Sequence, residues 1–238
     1  MLCSLVGGRS QDRDGHEPRR ASRRRLAALV AAGTLAIVSG CATEETPTLR
    51  VERRAIGTLG SGFIDAAKPP APESTIRPRP GSWDGVRPPP GYRVVLLTAG
   101  DDRATTTLVT GVKQWAEAEQ VTLETIAATA PEGFVDAIVE AMDLTPDLVI
   151  CAGNALVDAL ALVTASHLNQ QFLVVGAQLP EPTVNVTAAI WQGASSRGQE
   201  VAPSLDADAF TPRVVSAAIR AGVASVLSDI TGIVIWLG

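Results

Sequence analysis

Histidine and cysteine are nearly absent from this 238-residue chain, which has two of the first and three of the second. A Ser-His-Asp or Cys-His triad, or a zinc site, needs several such residues at suitable spacing, so both chemistries are short of parts. No G-x-S-x-G, Walker or G-x-G-x-x-G pattern occurs, which removes the usual hydrolase, phosphate-cradle and dinucleotide signatures. The chain is therefore expected not to be an enzyme and to carry neither metal nor cofactor. Long apolar runs are missing too: a helix crossing a bilayer needs about 20 apolar residues, and the stretch Leu26 to Gly40 has 15.

That stretch follows Arg19-Arg20 and Arg23-Arg24-Arg25. A basic start, a short apolar segment and small residues at its end are the makings of a secretory signal and not of a membrane span. Val38-Ser39-Gly40-Cys41 resembles the lipobox of bacterial lipoproteins, and Ser22-Arg23-Arg24-Arg25-Leu26 resembles a twin-arginine signal. The lipobox resemblance implies that Cys41 is acylated and becomes the new N-terminus once residues 1–40 are removed. Cys3 leaves with the signal, so Cys151 in "DLVICAG" is the one thiol without an assigned role. The exported part is thus held by a core and not by disulfides, with Cys151 a small buried apolar residue.

Basic charge is also scarce once the signal is removed. Met1 to Gly40 holds seven Arg and three acids, leaving 13 basic and 22 acidic residues and a net charge near −9. An acidic domain disfavours nucleic acid and offers no polybasic patch to membranes, so the lipid would have to anchor it. Residues 42–91 hold nine prolines, in "KPPAPE" and "RPRPGSWDGVRPPPG" among others. Proline-rich chain is extended and semi-rigid, so residues 41–91 read as a tether between lipid and domain. Within them "LRVERRAIGTLGSGFI" has the makings of a short hairpin, and Trp83 is either a packing contact onto the domain or an exposed aromatic.

From Tyr92 to Gly238 aliphatic runs alternate with amphipathic segments. "YRVVLLTAG", "VTLETIAA", "PDLVICAG", "QFLVVGAQ" and "VNVTAAIW" read as strands. Leu108, Val112, Trp115 and Ala116 stripe one helix, Val135, Ile138, Val139 and Met142 a second, and Leu156, Ala159, Leu160 and Val163 a third. Near-continuous aliphatic strands imply that both sheet faces are covered, and strand–helix alternation implies parallel pairing through right-handed crossovers. The expected fold is α/β: a three-layer sandwich around a doubly wound, mostly parallel sheet in the order 2-1-3-4-5. "RVVSAAIRAGVASVL" forms a further helix, and "TGIVIWLG" joins at an edge. Such a sheet opens its crevice beyond the carboxyl ends of its strands. The candidate ligand-binding residues are therefore Asp101, Asp102, Asn154, Gln178 and Trp191, with Gln192 beside them. Each has a plainer alternative: helix capping for Asp102 and Asn154, the edge of the core for Trp191. His167 is expected to cap or pack at the end of its helix.

"PDLVICAGNALVDALALVTASHLNQQFLVVGAQ" followed by "VNVTAAIWQGASSRGQEVA" resembles the basic-membrane-protein family, the PnrA-like substrate-binding lipoproteins that serve ABC importers of nucleosides and related solutes. The resemblance implies a type I periplasmic-binding fold, here reduced to a single lobe over residues 92–238 because 46 residues follow Gln192. It departs from the family in "GDDRATTTL", where Asp101 and Asp102 are kept but a Phe and an Asn are not, in Asn154 where an aromatic is usual, and in Gln178 where an acid is usual. The implied function is an extracytoplasmic, lipid-anchored solute-binding protein. Its partners would be the membrane, a small polar solute, and an ABC permease or another protein supplying a second lobe. The alternative is a lipid-tethered protein-interaction or sensory module that uses half of a binding-protein fold without transport.

Overall fold

The computed structural model describes residues 54–196 and 205–238, all of them in the unit Arg50–Gly238. The expected signal over residues 1–40, Cys41 and the first part of the linker lie outside the described residues. The strands are β1 (Thr75–Ile76), β2 (Arg93–Ala99), β3 (Thr122–Ala128), β4 (Leu148–Ala152), β5 (Phe172–Val175), β6 (Ala177–Gln178), β7 (Val186–Trp191), β8 (Ser195–Ser196) and β9 (Val234–Leu237). The helices are α1 (Arg103–Ala118), α2 (Phe134–Asp143), α3 (Val157–Val163) and α4 (Pro212–Leu227).

Seven strands form one sheet in the order β1-β9-β7-β5-β4-β2-β3, with every neighbouring pair parallel. The five strands read as 2-1-3-4-5 are β3, β2, β4, β5 and β7, in that order. Alternate residues feed two cores. Val94, Leu96, Leu148, Ile150, Leu173 and Val175 pack with α1 and α4. Val95, Leu97, Val149, Cys151, Phe172 and Val174 pack with α2 and α3. The result is the doubly wound three-layer sandwich, and it explains why these strands carry no polar face: each side of the sheet meets a helix.

The helices obey local rules. The carboxylate of Asp102 accepts the Thr105 N–H at 3.0 Å to cap α1, and Thr211 caps α4 with Pro212 at its first position, where a missing N–H costs nothing. His167 caps the end of its helix, as expected: its Nδ1 donates to the Val163 carbonyl at 2.9 Å. Gly222 lets α4 lie close on β5, since a Cβ there would sit 2.5 Å from Leu173 Cδ1.

Three expectations need correction. The first concerns handedness. α4 shares a face with α1 and not with α2 and α3, although β7 to β9 steps across the sheet in the same direction as β4 to β5. That crossover is therefore of opposite hand to the other three. Crossovers of this hand between parallel strands of one sheet are rare; α4 is reached by a connection of twenty residues, 192–211.

The second concerns "TGIVIWLG", which is not an edge. β9 pairs with β7 on one side and with β1 on the other, Thr75 opposite Val234 and Ile76 opposite Ile235. The third follows from it: the proline-rich segment is not a tether through Gly91. From Arg54 onward it straps the domain. Phe63 and Trp83 are buried in the core shared with α1 and α4, which decides Trp83 in favour of packing. Ile56 pairs with Arg87 through two 2.9 Å backbone hydrogen bonds, so the expected local hairpin gives way to a longer-range bridge. Arg87 reaches Glu119 at 2.9 Å, Arg220 reaches Asp84 at 3.1 Å, and Arg77 stacks over Trp236 at 5.0 Å. Prolines fit here because the strap is almost free of ladder hydrogen bonds, so few N–H groups are required of it.

Two outcomes follow. Trp83→Ala removes an aromatic from a filled core and should cost about 3–5 kcal/mol. A chain starting at Tyr92 should lose more than that, while one starting at Arg54 keeps a single cooperative transition. Equal denaturation midpoints for the two truncations would mean that the strap contributes nothing. Cys151 is fully buried, and burial pushes its thiol well up from the ordinary value. In a Cys3→Ser, Cys41→Ser chain it should react with an aromatic disulfide reagent about 10³-fold slower than a free thiol, with labelling rising only as denaturant opens the fold. Fast labelling of the native chain would place the thiol outside the core.

Candidate functional site

The order β3-β2-β4 makes β2 the point where the winding reverses, and the crevice of a doubly wound sheet lies beyond such a strand. β2 is followed by Gly100 and then by Asp101 and Asp102, both exposed. β4 is followed by Gly153 and then by Asn154, half-buried. Gly153 has φ +85°, a backbone that side chains rarely adopt, and a Cβ there would lie 3.3 Å from Thr105 Oγ1. That hydroxyl donates to Asp102 at 2.6 Å. On the other flank Ser195 Oγ donates to Asn154 Oδ1 at 3.0 Å. β8, which contains Ser195, pairs in parallel with β6, bringing Gln178 opposite Ser196. A continuous polar rim results, running Asp102, Thr105, Gly153, Asn154, Ser195 and the β6–β8 ribbon. Thr98, near the end of β2, adds a buried hydroxyl with no hydrogen-bond partner.

Charge at the rim is set by Asp101 and Asp102. Partial burial pushes the Asp102 carboxyl up, but hydrogen bonds from the Thr105 hydroxyl and from the N–H groups of Thr105 and Ala104 outweigh it. The group is held below the ordinary aspartate value and stays ionised. Its lone pairs are committed to the helix start, which leaves the exposed Asp101 as the freer acceptor. Such a rim offers carboxylate and amide groups to hydroxyl- or amine-bearing solutes. Among the described residues no group of three or more His, Cys, Asp or Glu is arranged to hold a metal ion.

The remaining predicted residues fare differently. Asn154 does not cap α3 with its side chain; it is tied to Ser195. Trp191 is not a rim residue. It is only 3% exposed, its ring meets Phe210 edge-on at 4.9 Å, and its Nε1 donates to the Ala209 carbonyl at 3.0 Å. The reason is the segment ahead of α4. Asp206 N–H donates to the Gly193 carbonyl at 2.9 Å, and Phe210 packs on Gly176, where a Cβ would sit 2.7 Å from its ring. This segment closes the ends of β5 and β7, so Trp191 takes the core-edge alternative and is not available as a ligand-binding residue. Gln192, next along, is exposed. Arg103 and Asp208 join the same segment to the start of α1 at 2.6 Å, both well exposed, a pair worth little energetically. Sequence reasoning missed Thr105 and Ser195. The spacing Asp-x-x-Thr signals the first as a capping partner; nothing local signals the second, which lies 41 residues from Asn154.

Two grooves lie elsewhere. One of about 830 Å³ opens at the amino ends of the strands, lined by Thr58, Tyr92, Asp147, Gln171 and Ser228 among others. The other, of about 700 Å³, runs beside β1 along Phe63, Lys68, Pro69, Pro70 and Arg77. Neither includes a predicted site residue.

No protein-family model and no curated protein matches this chain. Solved structures resemble it in part. An ABC transporter system solute-binding protein from Aeropyrum pernix K1 is similar at 17% identity and a TM-score of 0.39, over 42% of this chain and 29% of its own. A fragment of a "putative lipoprotein" from Peptoclostridium difficile 630 is similar at 12% identity and 0.42, over 57% and 98%. A transcriptional activator of the comK gene from Bacillus halodurans is similar at 13% identity and 0.37, over 61% and 53%. This chain spans less than a third of the length of the Aeropyrum pernix K1 protein.

Proposed function

We propose that this chain is a lipid-anchored extracytoplasmic module that binds a small polar solute at the rim between β2 and β4. The supporting observation is the linked set Asp102–Thr105–Gly153–Asn154–Ser195 at the switch point, with Asp101 exposed and the Thr98 hydroxyl unpartnered beside it. The reading keeps the relation to binding lipoproteins of nucleoside-type importers that the sequence suggests, and with it an ABC permease as a partner. Carboxylate, amide and hydroxyl groups at this rim suit a hydroxyl- or amine-bearing solute. His167, the one histidine beyond the signal, is spent on capping its own helix.

Affinity should be modest. Both aspartates are exposed, so each hydrogen bond to solute competes with water and yields about 0.5–1.5 kcal/mol. Dissociation constants of roughly 10 µM to 1 mM follow. Calorimetric titration with nucleosides, sugars and amino acids should give such a constant for at least one class, and an Asp101→Ala, Asn154→Ala variant should lose it. Silence across the panel would favour the second reading, a tethered protein-interaction module, for which the acidic outer face of α2 speaks. The anchoring half of the proposal rests on Val38-Ser39-Gly40-Cys41. Cys41→Ser should release the protein from the membrane fraction or leave the signal uncleaved, and normal cleavage with full retention would refute the acylation site.

A further inference from the structure

Charge is distributed unevenly along the chain. Between Gln114 and Ser196 there are ten Asp and Glu residues and no Lys or Arg. This stretch includes α2 and α3, so neither helix carries a basic residue.

The outer side of α2 concentrates the effect. Glu132, in the turn just ahead of α2, and Val135, Asp136, Val139, Glu140 and Asp143 within it are all exposed, the last five lying three, four, seven, eight and eleven residues on from Glu132. They form one stripe of helical spacing in which two valines sit between acids. Val135 and Val139 are 39% and 38% exposed, and Leu162 on the neighbouring α3 is 75% exposed. None of Glu132, Asp136, Glu140 and Asp143 has a cation against it among the described residues. Arg93, near the end of this helix, is occupied: it donates to the carbonyls of Leu144 and Thr145 and lies 4.0 Å from Glu124. Like charges four residues apart on a helix repel weakly, and a basic partner would relieve that repulsion while covering the aliphatic side chains.

We propose that the α2 face is the docking surface for a basic amphipathic helix of a partner protein, with aliphatic side chains over Val135, Val139 and Leu162 and Lys or Arg against Glu132, Asp136, Glu140 and Asp143. Charge decides among occupants. A second copy would set acids against acids, and an anionic lipid surface or a nucleic acid would be repelled. An amphipathic helix matches the repeat because its own residues at i and i+4 meet both the valine pair and the acid pair. The surface shares no residue with the proposed rim, which is built from the ends of β2 and β4 and from the Ser195 ribbon.

The test titrates a synthetic 18-residue helix bearing Leu and Lys at i, i+4 spacing into the full chain, read by fluorescence anisotropy. A control peptide carries the same Lys but Ser for Leu. Binding of the first should weaken at least tenfold in an Asp136→Lys, Glu140→Lys variant and several-fold in a Val135→Ser, Val139→Ser variant. It should hold steady in a Glu117→Lys, Glu181→Lys variant, which changes net charge equally at sites off the α2 stripe. It should also weaken between 50 and 500 mM salt. All the substituted residues are exposed, so unchanged unfolding midpoints confirm that the variants fold. Equal loss in both charge-reversal variants, equal binding of the two peptides, or no binding at all would overturn the proposal. So would sedimentation showing the unliganded chain self-associating through α2.

Discussion

β2 is hydrogen-bonded along its full length to β3 and over five residues to β4, and everything else in the molecule answers to that placement. A strand buried on both faces and paired at both edges has to be aliphatic, and its neighbours need helices above and below. The chain supplies them by winding one way from β2 through α1 and the other way through α2 and α3. The split leaves a gap beyond the end of β2, and the rim residues collect there because no crossover covers it. Asp102, Asn154 and Ser195 are polar at this position without energetic conflict, since each finds a partner in another.

The far side of the sheet is governed by a different constraint. β9 would expose one row of backbone groups if it ended the sheet, and an unpaired edge invites unwanted pairing. The proline-rich strap supplies β1 to cover it and buries Phe63 and Trp83 in the same stroke. Ahead of α4, Asp206 and Phe210 are held against Gly193 and Gly176 at the ends of β5 and β7. One consequence concerns access: protein covers the ends of β5 and β7, whereas Asp101 and Asp102 beyond β2 are exposed.

Polar residues inside the domain mark where loops are tied to the sheet. Asn185, fully buried at the entrance to β7, lies with its side-chain amide nitrogen 2.9–3.3 Å from the carbonyls of Thr164, His167 and Gln170, and its carbonyl accepts from Thr183. A buried amide satisfied on both ends is a strong local constraint. It holds the turn between α3 and β5 against β7 and so sets where β5 begins.

By itself the sequence determined the alternation of strands and helices and the order of the five central strands. It also determined the burial of Cys151 and the capping roles of Asp102 and His167, because period, propensity and cap chemistry are local properties. Asp101, Asp102, Asn154 and Gln178 were legible as rim residues for the same reason: a residue just past a strand end has a known place. Tertiary structure decided what depends on partners distant in sequence. Trp191 also lies at a strand end, yet Phe210 and Ala209, some twenty residues on, turn it into the core. Phe63 and Trp83 sit among prolines whose composition reads as linker, and only the presence of an open edge at β9 and of the core shared by α1 and α4 makes them structural. Ser195 joined Asn154 through the β6–β8 ribbon, a pairing of two residues per strand that no periodicity announces. The hand of the α4 crossover escaped for a like reason, since it depends on which face of the sheet α4 packs against and not on any local pattern.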